Sequence, residues 1–435
     1  MRYVVLNSYA GYGSTGRIAE ELCRKLEKDG NIAVLAHGRK KVNCESIKTY
    51  QIDAQIEVVI HGIMSRLFDT QGLHSKFATY RFIKWMDKFK PDVILMNNIH
   101  GYYLNYPMLF DYIKRNNIKV EWTLHDCWAF TGHCAYFTAA QCNKWKSGCC
   151  QCPEKKAYPA SLLFDNSKVN YQMKKKSFTG VQQLKIIVPS EWLSNLVKTS
   201  FLKEYSVEVR YNTIDKTVFK PVPSTFKKEY GIEDKIMLLG VASDWSKRKG
   251  LDDFIQLSTM LDARFAIVLV GLTSKQQRLV SEKVITIQKT NSKQRLAEIY
   301  SSADCFINPS KEETYGLTTA EAENCGTNAI VYKDTACEEI LERNGSIAVN
   351  QGVQYIYEEL LRRYGPMGDG GQCRLIMISK TARKEDLVRI YSAANCFINP
   401  TYEDNFPTVN IEAIACGISV VTYDTGGCGE TIRLH

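Results

Sequence analysis

The sequence predicts an α/β protein built from two doubly wound parallel sheets. Three observations carry this. Short apolar runs rich in Val, Ile and Leu recur along the chain. Helical stretches separate them, and polar or glycine-rich turns follow at their carboxyl ends. At 435 residues the chain exceeds one ordinary core, so two domains with additions are expected.

In the first half the strand-like runs are YVVLN from Tyr3, IAVLA from Ile32, VILMN from Val93, VEWTL from Val120 and KIIVPS from Lys185. Ligands of parallel sheets sit beyond the carboxyl ends of strands, so the residue just after each run matters most. After the first comes Gly11-Tyr12-Gly13-Ser14-Thr15-Gly16, a G-x-G-x-x-G match that opens a helix. A dinucleotide reading of that match needs an acid at the end of the second strand, and His37-Gly38-Arg39-Lys40-Lys41 stands there instead. NAD is therefore disfavoured, while Arg39 leaves NADP formally open. His125 and Asp126 end the VEWTL run and face the same crevice. Next, Cys134, Cys142, Cys149 and Cys152 have spacings suited to a tetrahedral thiolate site in a segment with little apolar content, where a structural zinc would supply folding energy. Thr213, with Pro221 and Pro223 soon after, marks the expected hinge.

The second half opens with IMLLGVA from Ile236 and a basic turn containing Arg248 and Lys249. The stretch CFINPSKEETYGLTTAEAENCG, from Cys305 to Gly326, reads strand, loop, helix. Glu313 lies in the loop and Glu321 on the helix, with Tyr315, Gly316 and Leu317 at the helix start. Free backbone amides there suit a phosphate. Glu321 would take ribose hydroxyls, the helix start a diphosphate, and Glu313 the group beyond the far phosphate, which describes a nucleotide sugar. No D-x-D pattern is placed to recruit a metal, so cations and helix ends must meet the departing charge.

Residues 375–432 align without a gap, 91 positions on, to residues 284–341, with roughly 23 of 58 identical. This reads as a partial second copy, with Asp404 and Glu412 as its acidic pair and Pro407 in place of Gly316. It has no counterpart of the Arg248-Lys249 turn. The sequence thus divides into 1–213 with a cysteine-rich insertion at 127–153, 214–365, and the repeat at 366–435, reached through GPMGDGGQ.

Hydrophobic content of 45% and charged content of 24% are globular values. No run has the apolar length of a membrane span, and the start of the chain carries no secretory pattern, so a cytoplasmic protein is expected. Fifteen cysteines in that setting argue for free thiols or metal ligands over disulfides. A net charge of +9 suits anionic substrates, nucleic acid or an anionic membrane surface, and charge alone does not choose among them. Lys174, Lys175 and Lys176 read as a solvated helix face. Aromatic residues do not interleave the basic runs, so nucleic acid is not an expected partner.

With Asn308-Pro309 before the two glutamates and Cys325-Gly326 after them, the segment resembles the Glu-x7-Glu signature of glycosyltransferase family 4, and the likeness extends over about residues 1–365. The resemblance implies the GT-B architecture, two Rossmann-like domains facing a cleft, and retaining, metal-independent transfer of a hexose. It implies that Arg248 and Lys249 grip the diphosphate and that His125 and Glu313 orient the sugar. It also places the loop at Gly13, Ser14 and Thr15, with Asp126, on the acceptor side. The cysteine-rich insertion resembles that of members serving capsular or exopolysaccharide assembly. From these follow a nucleotide-diphosphate sugar as donor, a saccharide or lipid-linked acceptor, and peripheral contact with the inner membrane face. Three rivals stand beside it: within enzymes a nucleotide-sugar epimerase of the same fold; from another class a non-catalytic sugar-nucleotide-binding or scaffold protein; and a zinc-dependent nucleic-acid module, which no compact finger pattern supports. Family members end with a helix that crosses back to the first domain, and no such helix is expected here.

Overall fold

Continuous apolar runs such as Val4-Val5-Leu6 belong to strands covered on both faces, and all three residues are buried. A computed structural model of the chain describes residues 1–39, 47–52, 55–365, 381, 383–394, 396–400, 407–422, 425 and 427–433, and divides into two compact units, Met1–Gly368 and Asp369–His435. Lys40, Lys41, Asp404, the side chain of Ser14 and positions 366–372 of the expected connection lie outside the described residues.

The first unit holds two parallel sheets. One consists of β1 (Arg2–Asn7), β2 (Ile32–His37), β3 (Thr49–Gln51), β4 (Val93–Met96), β5 (Lys119–Thr123), β6 (Leu184–Val188) and β7 (Ser206–Val209), in the order β3-β2-β1-β4-β5-β6-β7. The other consists of β8 (Ile236–Val241), β9 (Phe265–Val270), β10 (Ile285–Ile287), β11 (Cys305–Asn308), β12 (Ala329–Tyr332) and β13 (Ile347–Val349), in the order β10-β9-β8-β11-β12-β13. Strand order reverses between β1 and β4 in the first sheet and between β8 and β11 in the second. At such a reversal the two following loops diverge and leave a crevice. The glycine loop follows β1 and the basic turn follows β8. The segment with both glutamates follows β11, beside that turn.

Two expectations are corrected. Lys174 is buried rather than solvated: its Nζ donates to the Trp128 carbonyl at 2.7 Å and lies 3.5 Å from the centroid of the Trp128 ring. Lys175 and Lys176 are exposed as expected. The cysteine-rich insertion is not short of apolar content either. Phe130, Phe137 and Trp145 are buried together, with ring centroids 4.9–6.3 Å apart. These few large rings supply burial that the count of apolar residues understates.

The second unit pairs β14 (Cys396–Asn399) with β15 (Ser419–Thr422) in parallel, accompanied by the helices Lys384–Ala393, Thr408–Ala415 and Cys428–Arg433. No helix among the described residues is long and apolar enough to cross a membrane, and every described cysteine is a free thiol.

Candidate active site

Gly250 fixes the first contact of the site. Its φ is +74°, and a Cβ there would stand 2.4 Å from the Pro309 carbonyl oxygen, so only glycine lets the basic turn lie against the chain leaving β11. The Lys311 amide then donates to the Arg248 carbonyl at 2.8 Å, stapling turn to loop. Lys249 Nζ ion-pairs with Glu313 Oε2, and Arg248 Nη1 donates to the Glu312 carbonyl at 2.6 Å. Burial alone would push the Glu313 carboxyl up, but the charges of Lys249 and Arg248 outweigh it and hold the group below the usual carboxylate range. Glu313 is therefore an anion flanked by two cations.

Gly316 caps the helix Leu317–Asn324 at φ +91°, and a Cβ would lie 2.5 Å from Cys337 Sγ. A glycine cap brings no side-chain acceptor to the first amides of the helix. One turn on, Glu321 Oε2 accepts the Tyr300 hydroxyl at 3.0 Å. Burial lifts its carboxyl to about 7, against the pull of Tyr300 and Lys293.

On the first sheet, His125 and Asp126 follow β5. His125 Nε2 donates to Asn97 Oδ1 at 3.1 Å, and burial lowers the imidazole to about 4, so the ring is neutral at pH 7. Asp126 accepts His100 Nε2–H at 3.0 Å and the Trp128 amide at 2.9 Å. His100 Nδ1 accepts the Tyr158 hydroxyl at 3.0 Å. Asn97, His100, His125 and Asp126 line one small cavity. At the glycine loop Gly11 and Gly13 have φ near +70°, and Asn98 Nδ2 donates to Thr15 Oγ1 at 3.4 Å. The expected acceptor-side residues thus stand beyond the carboxyl ends of β1 and β5, and Asn98 and His100 beyond β4 bond to Thr15 and Asp126 respectively.

The two sheets are held together across the cleft by the loop that carries Glu313. The fully buried Glu312 carboxylate accepts the amides of Phe137 at 3.1 Å and Thr138 at 2.8 Å. Thr314 Oγ1 donates to the His125 carbonyl at 2.9 Å, and the Tyr315 hydroxyl to the Asn212 carbonyl at 2.8 Å. The Arg248 guanidinium lies 3.8 Å from the Tyr136 ring centroid. Glu339 adds a further bridge by accepting the amides of Glu191 and Trp192 at the start of the helix Glu191–Lys198.

Cys134, Cys142, Cys149 and Cys152 line a common cavity with Phe137 and Trp145. Cys134 and Cys152 share a hydrogen bond, and Cys149 Sγ accepts the Gly132 amide at 3.1 Å. As placed, no three His, Cys, Asp or Glu side chains among the described residues are grouped to hold a metal ion.

Two residues of the site escape sequence reasoning. His100 is legible in hindsight, because it stands just beyond the carboxyl end of β4, as His125 does beyond β5. Glu312 carries no such signal: its partners lie more than 170 residues away in sequence.

Two sheets with their switch points facing one cleft, a paired basic turn and acidic loop on one side and a His-Asp pair on the other, are the arrangement of the GT-B class of transferases. The comparisons agree. The model for Glycosyltransferase Family 4 matches residues 15–218, and that for Glycosyl transferases group 1 matches residues 224–356 and 372–435. The chain belongs to glycosyltransferase family 4 and is a glycosyltransferase. It is 22% identical over 374 residues to the putative colanic acid biosynthesis glycosyl transferase WcaC of Escherichia coli, spanning 81% of this chain and 88% of that one. It is 26% identical to the alpha-galactosylglucosyldiacylglycerol synthase of Streptococcus pneumoniae over 39% of this chain and 48% of that protein. Among solved structures, sucrose-phosphate synthase from Thermosynechococcus elongatus superposes with a TM-score of 0.60 at 13% identity, over 83% and 89% of the two chains. Anabaena Alr3699/HepE in complex with UDP-glucose superposes with a TM-score of 0.53 at 15% identity, over 82% and 88%. At such identities the structures speak for the fold.

Proposed function

We propose that this chain is a retaining hexosyltransferase that moves a sugar from a nucleoside-diphosphate sugar to a saccharide or lipid-linked acceptor in cell-surface polysaccharide assembly. The observation that carries the reading is the Lys249–Glu313 ion pair at the start of the Gly316-capped helix, across the cleft from His125. A diphosphate entering there would meet Arg248, Lys249 and the amides of Tyr315, Gly316 and Leu317, releasing Glu313 to accept sugar hydroxyls. Charge developing on the leaving phosphate would be met by fixed cations and amides, a form of stabilisation typically worth several kcal/mol per group. Glu321 would exchange the Tyr300 hydroxyl for those of the ribose. Neutral His125, whose Nε2–H is held by Asn97, would offer Nδ1 as an acceptor to a sugar hydroxyl, and the acceptor would enter along Gly13, Ser14, Thr15 and Asp126. The scheme assigns no protein carboxylate as a nucleophile, so attack on the face the diphosphate leaves, with that phosphate taking the acceptor proton, accounts for retention.

The names of WcaC and of the diacylglycerol glycoside synthase support a saccharide or lipid-linked acceptor. The UDP-glucose complex of HepE supports a nucleoside-diphosphate donor. The domain division at residues 213 and 365 is part of the same reading. So is a structural zinc on Cys134, Cys142, Cys149 and Cys152, supported by their common cavity alone; its four thiolates would have to draw together, and a zinc content near zero in purified protein removes it.

The test is a melting-temperature panel of nucleotides and nucleotide sugars with wild type and Lys249→Ala, because a ligand that binds only the folded state raises the melting temperature. Stabilisation by one nucleoside-diphosphate family, lost in the variant, supports the reading. No shift with any nucleotide overturns it.

A further inference from the structure

The helix Gln55–Phe68 turns its apolar face outward. Ile56, Val59, Ile60 and Ile63 follow the i, i+3, i+4, i+7 spacing of a core-facing stripe, yet each is more than half exposed. The buried residues are His61, Gly62 and Ser65, on the opposite face. His61 fixes this orientation. Its Nε2 accepts the Gly72 amide at 3.0 Å, which leaves Nδ1 to donate to Ser75 Oγ at 2.8 Å. Rolling the helix over to bury its isoleucines would break both bonds.

A second apolar element is pinned to the end of this helix. The Leu162 amide donates to the Arg66 carbonyl at 2.7 Å and the Phe164 amide to the Leu67 carbonyl at 3.3 Å. The Phe164 and Phe68 rings stack with centroids 5.5 Å apart. Leu162, Leu163 and Phe164 are all more than half exposed. Cations border the patch: Arg66 lies in the last helical turn, Lys155 Nζ donates to the Leu163 carbonyl at 3.3 Å, and Lys156 beside it is exposed.

We propose that this face, the outer side of the helix Gln55–Phe68 with the segment 162–164, docks on an anionic lipid bilayer. An amphipathic helix lying in the interface with basic residues at its margin is the arrangement that anionic lipid surfaces select. The face is also continuous with the acceptor side of the cleft. The inner face of the helix sets His61 5.8 Å from Tyr102, two residues past His100. Tyr158, four residues before Leu162, gives its hydroxyl to His100. A bilayer seated on the isoleucines and leucines would hold a lipid-linked saccharide with its head group at the His100–Asp126 pair. The inference rests on the lipid-linked acceptor reading and names the surface that would serve it.

The experiment is co-sedimentation of the full chain with vesicles of phosphatidylcholine alone and of phosphatidylcholine with phosphatidylglycerol, for wild type, the double variant Ile60→Asn/Ile63→Asn and Leu163→Asn. Wild type is expected to bind the anionic vesicles about tenfold more tightly than the neutral ones, and the double variant to lose about tenfold on the anionic ones. Because the altered side chains face solvent, melting temperature and its shift with nucleotide should stay at wild-type values. The donor-site reading is thereby tested separately: it fails if nucleotide shifts are absent, whatever the vesicles do. The docking proposal is overturned if wild type does not sediment with anionic vesicles or if the variants sediment as wild type does. It is also overturned if wild type without lipid is a dimer that the double variant converts to monomer, which would assign the face to a second copy of the chain.

Discussion

The segment around Glu313 and its echo 91 positions later share a sequence and an order of elements but not surroundings. β11 and β14 both read CFIN, and an eight-residue helix follows each in the chain. Tyr300 gives its hydroxyl to Glu321, and Tyr391 stands in the same relation to Glu412. The helices start differently, from Gly316 at φ +91° and from Pro407 at φ −70°. The larger contrast is burial. Ile307 is 1% exposed and its counterpart Ile398 67%; Ile330 is fully buried and Val421 is 56% exposed. β11 lies between β8 and β12, whereas β14 pairs with β15 in a two-stranded sheet. The comparison teaches what the surroundings of the first glutamate pair supply: the turn that follows β8 brings Lys249 to Glu313 and Arg248 to the Glu312 carbonyl, and the proposed donor site depends on that neighbourhood.

The sharpest way to break this comparison is to remove the cation that pairs with the first acidic segment, Lys249. Lys249→Ala should lower kcat/KM by about two to three orders of magnitude, since a preorganised charge at the leaving group is worth several kcal/mol. Steady-state transfer with the donor identified by melting shift measures it. A loss below tenfold would put the departing charge elsewhere.

Next in size is the carboxylate proposed to take the ribose. Glu321 sits near 7 in the folded protein because of burial, above its unfolded value. The folded state therefore holds the proton more tightly, and stability falls as pH rises between the unfolded value and about 7. Melting temperature should drop from pH 5 to pH 8 in wild type and drop less in Glu321→Gln. Nucleotide affinity should move the other way, rising from pH 6 to pH 8, because ribose hydroxyls donate best to the ionised carboxylate. The glutamine variant should flatten both profiles.

Glu312 tests whether the loop is aimed by the opposite domain. Glu312→Ala leaves the amides of Phe137 and Thr138 without their acceptor, at a cost of about 1–3 kcal/mol. It should also raise KM for the donor more than Glu339→Ala does, although both variants cut a bridge across the cleft, because only Glu312 adjoins Glu313. Equal effects would reduce Glu312 to a structural tie.

What the sequence shows and hides follows the same line. Strands and both glutamates are legible because they depend on short-range pattern: apolar runs covered on both faces, a break at Pro309, a helix after Gly316. His125 is legible from its place at a strand end. Glu312 is not, because an acid in a polar loop looks solvated until the chain brings Phe137 and Thr138 to it. Lys174 misleads for the same reason, since three consecutive lysines on a helix give no sign that one will meet the Trp128 carbonyl. The cysteine segment misleads differently, since its burial comes from a few large rings rather than from many apolar residues.

The smallest effect should come from the echo itself. Glu412→Ala alters the acid whose counterpart is expected to hold the ribose, in a repeat whose sequence has no counterpart of the Arg248-Lys249 turn. Transfer rate and nucleotide-induced melting shift should stay within about twofold of wild type, as for a substitution outside the site. A loss approaching that of Glu321→Ala would mean that the second acidic segment takes the donor, and that burial between β8 and β12 is not what makes such a segment a site.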